Sequence, residues 1–129
     1  DLAEEIADYF CENCDKTVEK ITKQTLIKEA PEVLIINLQR IIFDLETFLK
    51  VKVHTKLEFD QILDLHSYFS SSSEPAPYHL KGVVIHSGTS EGGHYYSLIK
   101  QNNNWYKFND QSVTFFNESN VGKEAFGGE

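Results

Sequence analysis

Residues 78–113, YHLKGVVIHSGTSEGGHYYSLIKQNNNWYKFNDQSV, carry the clearest structural pattern in the chain. Two histidines stand beside glycine-bearing turns, and a run dense in aromatic residues follows the second of them. Runs of β-branched and aromatic residues bounded by Gly, Asn and Ser are typical of strands joined by turns. The stretch therefore predicts a strand ending near His86, a glycine-rich bend, and a hairpin of residues 94–100 with residues 105–110.

The register of this hairpin follows from its turn. Counting back from a turn centred on residues 102–103 places His94 opposite Gln111, with Asn109 two residues along on the same face. Such diagonal neighbours lie about 7–8 Å apart at the backbone, within reach of an imidazole and an amide. Asp110 falls on the other face. Because side chains alternate between the two faces of a strand, this register pairs His94 with Asn109 rather than Asp110. One β-bulge would reverse that assignment.

A histidine oriented by an amide is two-thirds of a nucleophilic triad. The amide oxygen of Asn109 can accept from one ring N–H of His94, which leaves the other nitrogen free to take a proton from a thiol or hydroxyl. Gly92 and Gly93 lack Cβ atoms and would let an extended substrate approach the backbone. The alternative is an ordinary strand histidine beside a glycine-rich turn, since short motifs often match by chance.

The whole stretch resembles the histidine box of the ubiquitin-specific proteases, a family of papain-like deubiquitinating cysteine proteases. The resemblance implies that His94 is the general base, Asn109 the third triad member, and Asp110 an adjacent assisting acid. The residues that match the family pattern are Tyr78, Leu80, Gly82, Val83, His86, Ser87, Gly88, Gly92, Gly93, His94, Tyr95, Trp105, Phe108, Asn109, Asp110 and Val113.

The resemblance also implies a substrate site. Gly92, Gly93 and Tyr95 would flank a narrow channel for the Gly-Gly tail of ubiquitin. His86 would form a wall of that channel or have a structural role. The expected partners are ubiquitin and ubiquitinated proteins.

Composition narrows the class of protein. At 129 residues and 40% hydrophobic content the chain could bury one modest core. A net charge of −8 argues against nucleic acid or an anionic membrane as partner. We expect no transmembrane span and no signal peptide, because no long apolar run occurs and no basic-then-apolar start. Two cysteines are too few for a disulfide scaffold, which favours a cytoplasmic location, with the nucleus as an alternative.

Cys11 and Cys14 have the C-x-x-C spacing of one knuckle of a zinc site. Two thiols supply half of a tetrahedral site, so a redox pair and two packed thiols remain alternatives; His54 or His66 could complete a site, without a motif to support it. In the ubiquitin-specific proteases a C-x-x-C precedes a segment like APEVLIINLQR and forms half of a zinc ribbon. The resemblance therefore implies structural zinc, with the other ligands upstream.

In the rest of the first half, the pattern of apolar and polar residues predicts the secondary structure. Residues 1–10 suggest an acidic helical turn or an irregular lead-in, and residues 17–28 a strand. Residues 33–43 are the most apolar run and predict a buried central strand, because Ile and Val dominate and a proline precedes. Asp44 begins a turn, and residues 45–53 with 56–59 suggest a hairpin with one wet face.

The last part of the chain carries a linker and a short helix. Residues 70–77 (SSSSEPAP) read as a loop inside the domain. After the histidine box, residues 114–116 complete a strand. Ser119 is a candidate N-cap for a helical turn over residues 121–126.

Together these patterns and the resemblance predict an α+β fold, predominantly antiparallel β, equivalent to the fingers and palm of a papain-like ubiquitin-specific protease. The expected division of residues 1–129 is zinc-ribbon fingers over 9–30, palm strands over 31–69, a loop over 70–77, and histidine box with palm over 78–129.

The family's nucleophilic cysteine has no counterpart in this chain. It lies in a Cys-Trp-containing segment, whereas the single tryptophan here is Trp105 within the histidine box. We expect the chain to be inactive alone and to work with an N-terminal half of the same catalytic domain. The alternative is a non-catalytic ubiquitin-binding module or an inactive relative.

Overall fold

Antiparallel strands dominate the computed structural model, which describes residues 3–70 and 77–128. This confirms the predicted fold class. Within these ranges no helix reaches the length and apolarity needed to cross a membrane. The strands are β1 (Ala3–Cys11), β2 (Lys16–Gln24), β3 (Ile41–Asp44), β4 (Leu49–Lys52), β5 (Ile62–Leu63), β6 (Tyr78–His79), β7 (Gly82–Gly88), β8 (Gly93–Gln101), β9 (Asn104–Asn109) and β10 (Ser112–Phe116); 3₁₀ turns span His66–Tyr68 and Glu118–Asn120, and α1 spans Val121–Ala125.

The chain forms two compact units, one of Asp1–Leu34 with Asp64–Pro77 and one of Ile35–Leu63 with Tyr78–Glu129. The first unit is built on the antiparallel hairpin of β1 and β2. For residues 1–10 we expected a helical turn or an irregular lead-in, and over the described residues 3–10 this was wrong. Pairing with β2 supplies the backbone hydrogen bonds that an isolated short helix lacks. The strand predicted for residues 17–28 exists as β2 but ends at Gln24.

The second unit contains a four-stranded sheet in the order β10-β9-β8-β7. Gln101 pairs with Asn104 and Ser97 with Phe108, which confirms the predicted hairpin register. Asn102 and Asn103 both have positive φ, 47° and 64°. Positive φ at both central residues defines the turn type that matches the twist of a two-residue hairpin, and asparagine tolerates it.

The two faces of this sheet differ in burial. On one face Leu98 is 0% exposed and Trp105 1% exposed, and Val121 of α1 completes the core. Alternation along the strands puts Tyr95 and Phe115 on the other face, where Phe115 is 69% exposed. The core therefore occupies the same face as the even-numbered residues of β8, which include His94.

The buried strand predicted for residues 33–43 was wrong. Only its end belongs to a strand, β3, and Val33 and Ile35 are 75% and 84% exposed. Apolar residues form a buried strand only when neighbouring strands cover and bond them, and in the described ranges residues 33–40 have no strand partner. The hairpin expected from residues 45–53 and 56–59 is likewise shifted: β4 pairs with β3 instead.

The predicted turn at Asp44 is confirmed. Its carboxylate accepts from the Glu46 N–H at 2.9 Å and the Thr47 hydroxyl at 2.7 Å. These bonds lower the pKa of Asp44, with the Thr47 bond as the largest cause. The turn thereby closes the β3–β4 hairpin, whose last residue, Lys52, lies close to the histidine-bearing sheet.

The C-terminal helix begins differently from the prediction. Asn117, not Ser119, supplies the capping side chain, and its Oδ1 accepts from the Ser119 N–H at 3.0 Å. A 3₁₀ turn therefore precedes α1, and the residue at the N-terminus of α1 makes no side-chain capping bond. Strand β10 confirms the strand predicted over residues 114–116. The predicted loop of residues 70–77 lies mostly outside the described residues.

Helix α1 is bonded to the sheet through Glu124. Its Oε1 accepts from the Tyr96 hydroxyl at 2.8 Å and from Lys107 Nζ at 2.7 Å, and Lys107 lies 4.0 Å from the centre of the Tyr96 ring. Desolvation, followed by Glu124, raises the pKa of Tyr96 to about 12. The bonds from Lys107 and then Tyr96 lower the pKa of Glu124.

This network predicts a component of acid sensitivity. Because the pKa of Glu124 is lower in the folded than in the unfolded state, its stabilisation is present above the ordinary value of 4.5 and is lost as pH falls through the folded value. We expect Glu124→Gln to lower Tm near neutral pH, with the two proteins converging in acid. Thermal denaturation across that range checks this, with exposed Glu46→Gln as control. A difference in Tm that stays constant with pH would contradict the expectation.

Candidate active site

His94 and Asn109 lie in hydrogen-bond contact. Nε2 of His94, near the start of β8, is 2.5 Å from Oδ1 of Asn109, the last residue of β9. The predicted pairing of these two side chains is therefore present. An amide oxygen only accepts, so the proton of this bond is on Nε2 and Nδ1 is left as the basic nitrogen.

Asp110 also approaches the same histidine. Its Oδ2 is 3.7 Å from His94 Nε2, although the alternation of side chains along a strand predicted that Asp110 would lie on the opposite face. The reason is that Asp110 does not continue the strand: it has a φ of 51° and begins the turn in which Asn109 pairs with Ser112. Asp tolerates this left-handed conformation because its short side chain bonds locally.

The backbone partner of His94 also differs from the prediction. His94 pairs with Ser87 of β7, and the pairing of β8 with β9 begins only at Ser97 and Phe108, so Gln111 does not face His94. The Asn109 side chain bridges this gap between the strands. The His94 side chain is 48% exposed, so the imidazole is not enclosed by its neighbours.

His86 packs at the opposite end of the glycine-rich bend. Its ring lies 4.6 Å from that of Tyr95, and its Nδ1 is buried without a hydrogen-bond partner in the described part of the chain. A Cβ on Gly93 would collide with the Ser87 carbonyl oxygen and with His86 Nε2. Gly93 is therefore required by the packing of its neighbours, whereas a Cβ on Gly92 would meet open space.

Sequence reasoning missed one residue that contacts this bend. Lys52, at the end of β4, donates from Nζ to the carbonyl oxygens of His86 at 3.0 Å and of Gly88 at 2.8 Å. A lysine with backbone acceptors more than 30 residues away has no local sequence signature. Its position depends entirely on the packing of the β3–β4 hairpin.

The two cysteines meet at the turn of the β1–β2 hairpin. Their Sγ atoms are 3.0 Å apart, and the bond from Cys14 is the largest cause that lowers the pKa of Cys11. The same bond raises the pKa of Cys14. In a tetrahedral zinc–thiolate site two sulfurs lie roughly 3.8 Å apart, so a small side-chain rotation would suit the pair to one metal. Among the described residues no group of three or more His, Cys, Asp or Glu could hold a metal ion.

Comparison with protein families identifies the family to which this fold belongs. The family model described as ubiquitin carboxyl-terminal hydrolase matches residues 4–126. The human ubiquitin carboxyl-terminal hydrolase 34 is 35% identical over 94% of this chain and 4% of its own length. The probable ubiquitin carboxyl-terminal hydrolase FAF of Drosophila melanogaster is 34% identical over 100% of this chain and 6% of its own length.

Solved structures give the same result. The SAGA DUB module of Ubp8, Sgf11, Sus1 and Sgf73 bound to ubiquitin aldehyde matches with a TM-score of 0.78 and 30% identity, over 96% of this chain and 30% of the other. A module bound to monoubiquitin matches with a TM-score of 0.79, 32% identity and coverages of 96% and 28%.

The family model spans nearly the whole chain, so the chain belongs to the ubiquitin carboxyl-terminal hydrolase family. Its structural neighbours are deubiquitinase modules of the ubiquitin-specific protease type. The chain spans less than a tenth of the length of the relatives described above and under a third of those solved chains.

Proposed function

We propose that this chain supplies the general-base half of a deubiquitinating cysteine protease, which hydrolyses the bond after the C-terminal glycine of ubiquitin. The observation that carries the proposal is the 2.5 Å contact of His94 Nε2 with Asn109 Oδ1, which leaves Nδ1 as the basic nitrogen of a half-exposed ring. Such a histidine is the proton acceptor that a cysteine nucleophile needs. Family membership supports the assignment of ubiquitin as substrate.

The reaction proceeds by acyl transfer. His94 Nδ1 takes the proton of a cysteine thiol, and the thiolate attacks the carbonyl carbon of the terminal glycine of ubiquitin. The imidazolium then protonates the leaving amine as the carbon–nitrogen bond breaks, which leaves a thioester. Water, deprotonated by the same imidazole, hydrolyses the thioester and restores the thiol. Asn109 holds the ring, and Asp110 stabilises its cationic form from 3.7 Å.

The nucleophile is contributed by a segment outside residues 1–129, the N-terminal half of the same catalytic domain. Both cysteines of this chain lie at the β1–β2 turn, in the unit that does not contain His94. The solved relatives are more than three times as long as the part that this chain matches, which leaves room for such a half. The oxyanion donors would come mainly from it as well.

The substrate channel runs past the glycine-rich bend. His86, Gly92, Gly93 and Tyr95 flank it: the His86 ring packs against Gly93 and Tyr95, and the space beside Gly92 is open. A tail of two glycines is the peptide that passes such a narrow opening. The neighbours solved with monoubiquitin and ubiquitin aldehyde support a ubiquitin partner.

The test of this function is reconstitution. The chain is mixed with the nucleophile-bearing half and assayed with a ubiquitin C-terminal fluorogenic amide. Hydrolysis that appears only on mixing supports the proposal. A complex that forms, binds ubiquitin and releases no fluorophore would show a non-catalytic ubiquitin-binding module instead.

We further propose that Cys11 and Cys14 hold a structural zinc ion together with two ligands from the nucleophile-bearing half. Both thiols lie on one turn with their sulfurs 3.0 Å apart, which fits one knuckle of a tetrahedral site. When bound, zinc would cross-link the two halves without taking part in the chemistry. Two thiols that are not in a disulfide also suit a reducing compartment, the cytoplasm or the nucleus.

The zinc proposal predicts a metal-dependent stability. In the complete catalytic domain we expect Cys11→Ser with Cys14→Ser to lower bound zinc from about one equivalent to nearly none and to lower Tm, because structural zinc contributes folding free energy directly. Metal analysis of the purified protein and thermal denaturation measure both effects. Asn13→Ser in the same turn is the control. Full zinc content in the double variant would overturn the assignment.

A further inference from the structure

The glycine-rich bend is held from outside by one cation. Strand β7 is an edge of the four-stranded sheet, so alternate carbonyl groups along it face away from β8. Lys52 Nζ donates to two of these in succession, at 3.0 Å on His86 and 2.8 Å on Gly88. One side chain thereby satisfies the open edge of β7 at the point where the strand enters the bend.

The bend itself has few internal bonds. The Thr89 N–H donates to the Gly92 carbonyl at 2.9 Å, and the Thr89 hydroxyl makes two longer contacts of 3.3 Å. Gly88 has a φ of 126°, and a Cβ there would lie 2.6 Å from the Gly92 carbonyl oxygen. Besides these bonds and the pairing of Gly88 with Gly93, the first residue of the bend is held by the bond from Lys52 to the Gly88 carbonyl.

The base of this anchor is itself well supported. Lys52 pairs with Ile41 in the β3–β4 hairpin, and the next residue, Val53, donates its N–H to the Arg40 carbonyl at 2.6 Å. The Arg40 guanidinium in turn donates to the carbonyl of Thr55 at 2.7 Å and to that of Phe126 at 3.4 Å. Lys52 thus connects the bend to a hairpin that is itself held in place by hydrogen bonds.

We propose that Lys52 is a positioning residue that holds the 88–93 bend in the conformation that admits the ubiquitin tail. This inference rests on the proposed function, because the bend carries Gly92 and Gly93 and leads directly into His94. Among the described residues, the bonds of Lys52 Nζ go to backbone carbonyls, and the side chain acts through them. An ammonium group gives charge-assisted bonds that a neutral side chain of similar length does not.

Loss of the two bonds from Lys52 to the carbonyls of His86 and Gly88 should weaken substrate binding and leave the chemical step unchanged. If the bend then samples several conformations, the apparent affinity falls by the fraction that remains competent, while the bound complex reacts normally. For Lys52→Met in the complete catalytic domain we expect KM for a ubiquitin amide to rise about tenfold, with kcat changed less than about threefold. Lys52→Arg keeps the charge and should restore most of the affinity.

Hydrogen exchange provides a readout that does not depend on activity. We expect the Thr89 amide, which bonds Gly92, to exchange about tenfold faster in Lys52→Met, while amides in β8 and β9 keep their protection. Lys50→Met is the matched control: Lys50 lies two residues earlier on β4 and is exposed. It should leave both exchange and KM unchanged.

The outcomes separate the two proposals. Unchanged hydrogen exchange at the bend in Lys52→Met overturns the positioning role. A fall in kcat at constant KM overturns it as well, because that result would indicate only a smaller fraction of folded protein. An inactive wild-type domain would overturn the proposed function instead, and the exchange measurement would still decide whether Lys52 holds the bend.

Discussion

We expect His94→Ala to lower kcat/KM of the complete catalytic domain for a ubiquitin C-terminal amide by about 10⁴-fold. The imidazole is the group that Asn109 holds, and its Nδ1 is the nitrogen left to take the thiol proton. Because the side chain acts on protons and not on the bulk of ubiquitin, binding of ubiquitin should persist. Steady-state kinetics and a binding titration with the same preparation measure the two quantities.

Substitutions at Asn109 refine this expectation. Asn109→Ala removes the acceptor for Nε2 and should cost less than loss of the imidazole, since the ring remains and Asp110 lies 3.7 Å away. Asn109→Asp keeps an oxygen acceptor and should retain more activity than Asn109→Ala. Exposed His54→Ala is the matched control and should behave as wild type. Hydrolysis by His94→Ala at more than about a tenth of the wild-type rate would exclude it as the general base.

The largest effect on stability is expected for Trp105→Ala, about 3–5 kcal/mol in the free energy of unfolding. Trp105 is 1% exposed, packs in the core with Leu98 and Val121, and donates its indole N–H to Glu118 at 3.2 Å. Removing it opens a cavity between the sheet and α1 and leaves the Glu118 carboxylate with one donor fewer. Urea denaturation followed by far-ultraviolet circular dichroism measures the loss.

Two comparisons isolate the origin of this effect. Trp105→Phe keeps an aromatic ring in the core but loses the indole bond and part of the buried ring volume, so a smaller loss of about 1–2 kcal/mol is expected. Phe115→Ala removes an aromatic residue from the adjacent strand on the exposed face, where 69% of the residue is accessible, and should cost under about 1 kcal/mol. Equal losses for Trp105→Ala and Phe115→Ala would show that burial on the Trp105 face does not support the fold.

The predictions that succeeded from sequence depended on local geometry. Two consecutive asparagines favour a two-residue turn, the turn sets the register, and alternation places His94 and Asn109 on one face. The predicted position of Asp110 was wrong because this residue has a positive φ and does not continue the strand, so its side chain does not follow the alternation. Alternation predicts the face of a side chain only within the paired part of the two strands.

The predictions that failed concerned burial. Residues 33–43 are apolar enough for a central strand, yet Val33 and Ile35 are largely exposed, because burial requires a covering surface and composition does not supply one. The lead-in over residues 1–10 failed for a related reason: its acidic composition is poor for a strand, but pairing with β2 overrides that preference.

Local patterns were enough to predict the antiparallel class, the hairpin register and the pairing of His94 with Asn109, because turn type and alternation along the strands fix each of them. The folded structure was needed to show how Asp110 comes within 3.7 Å of His94 from beyond the strand, that His86 leaves no room for a Cβ on Gly93, and that Lys52 bonds the carbonyls of His86 and Gly88. The Gly93 and Lys52 contacts join different strands or hairpins, and Asp110 depends on a departure from strand geometry. Such contacts arise from the packing of the folded chain, which no local pattern specifies.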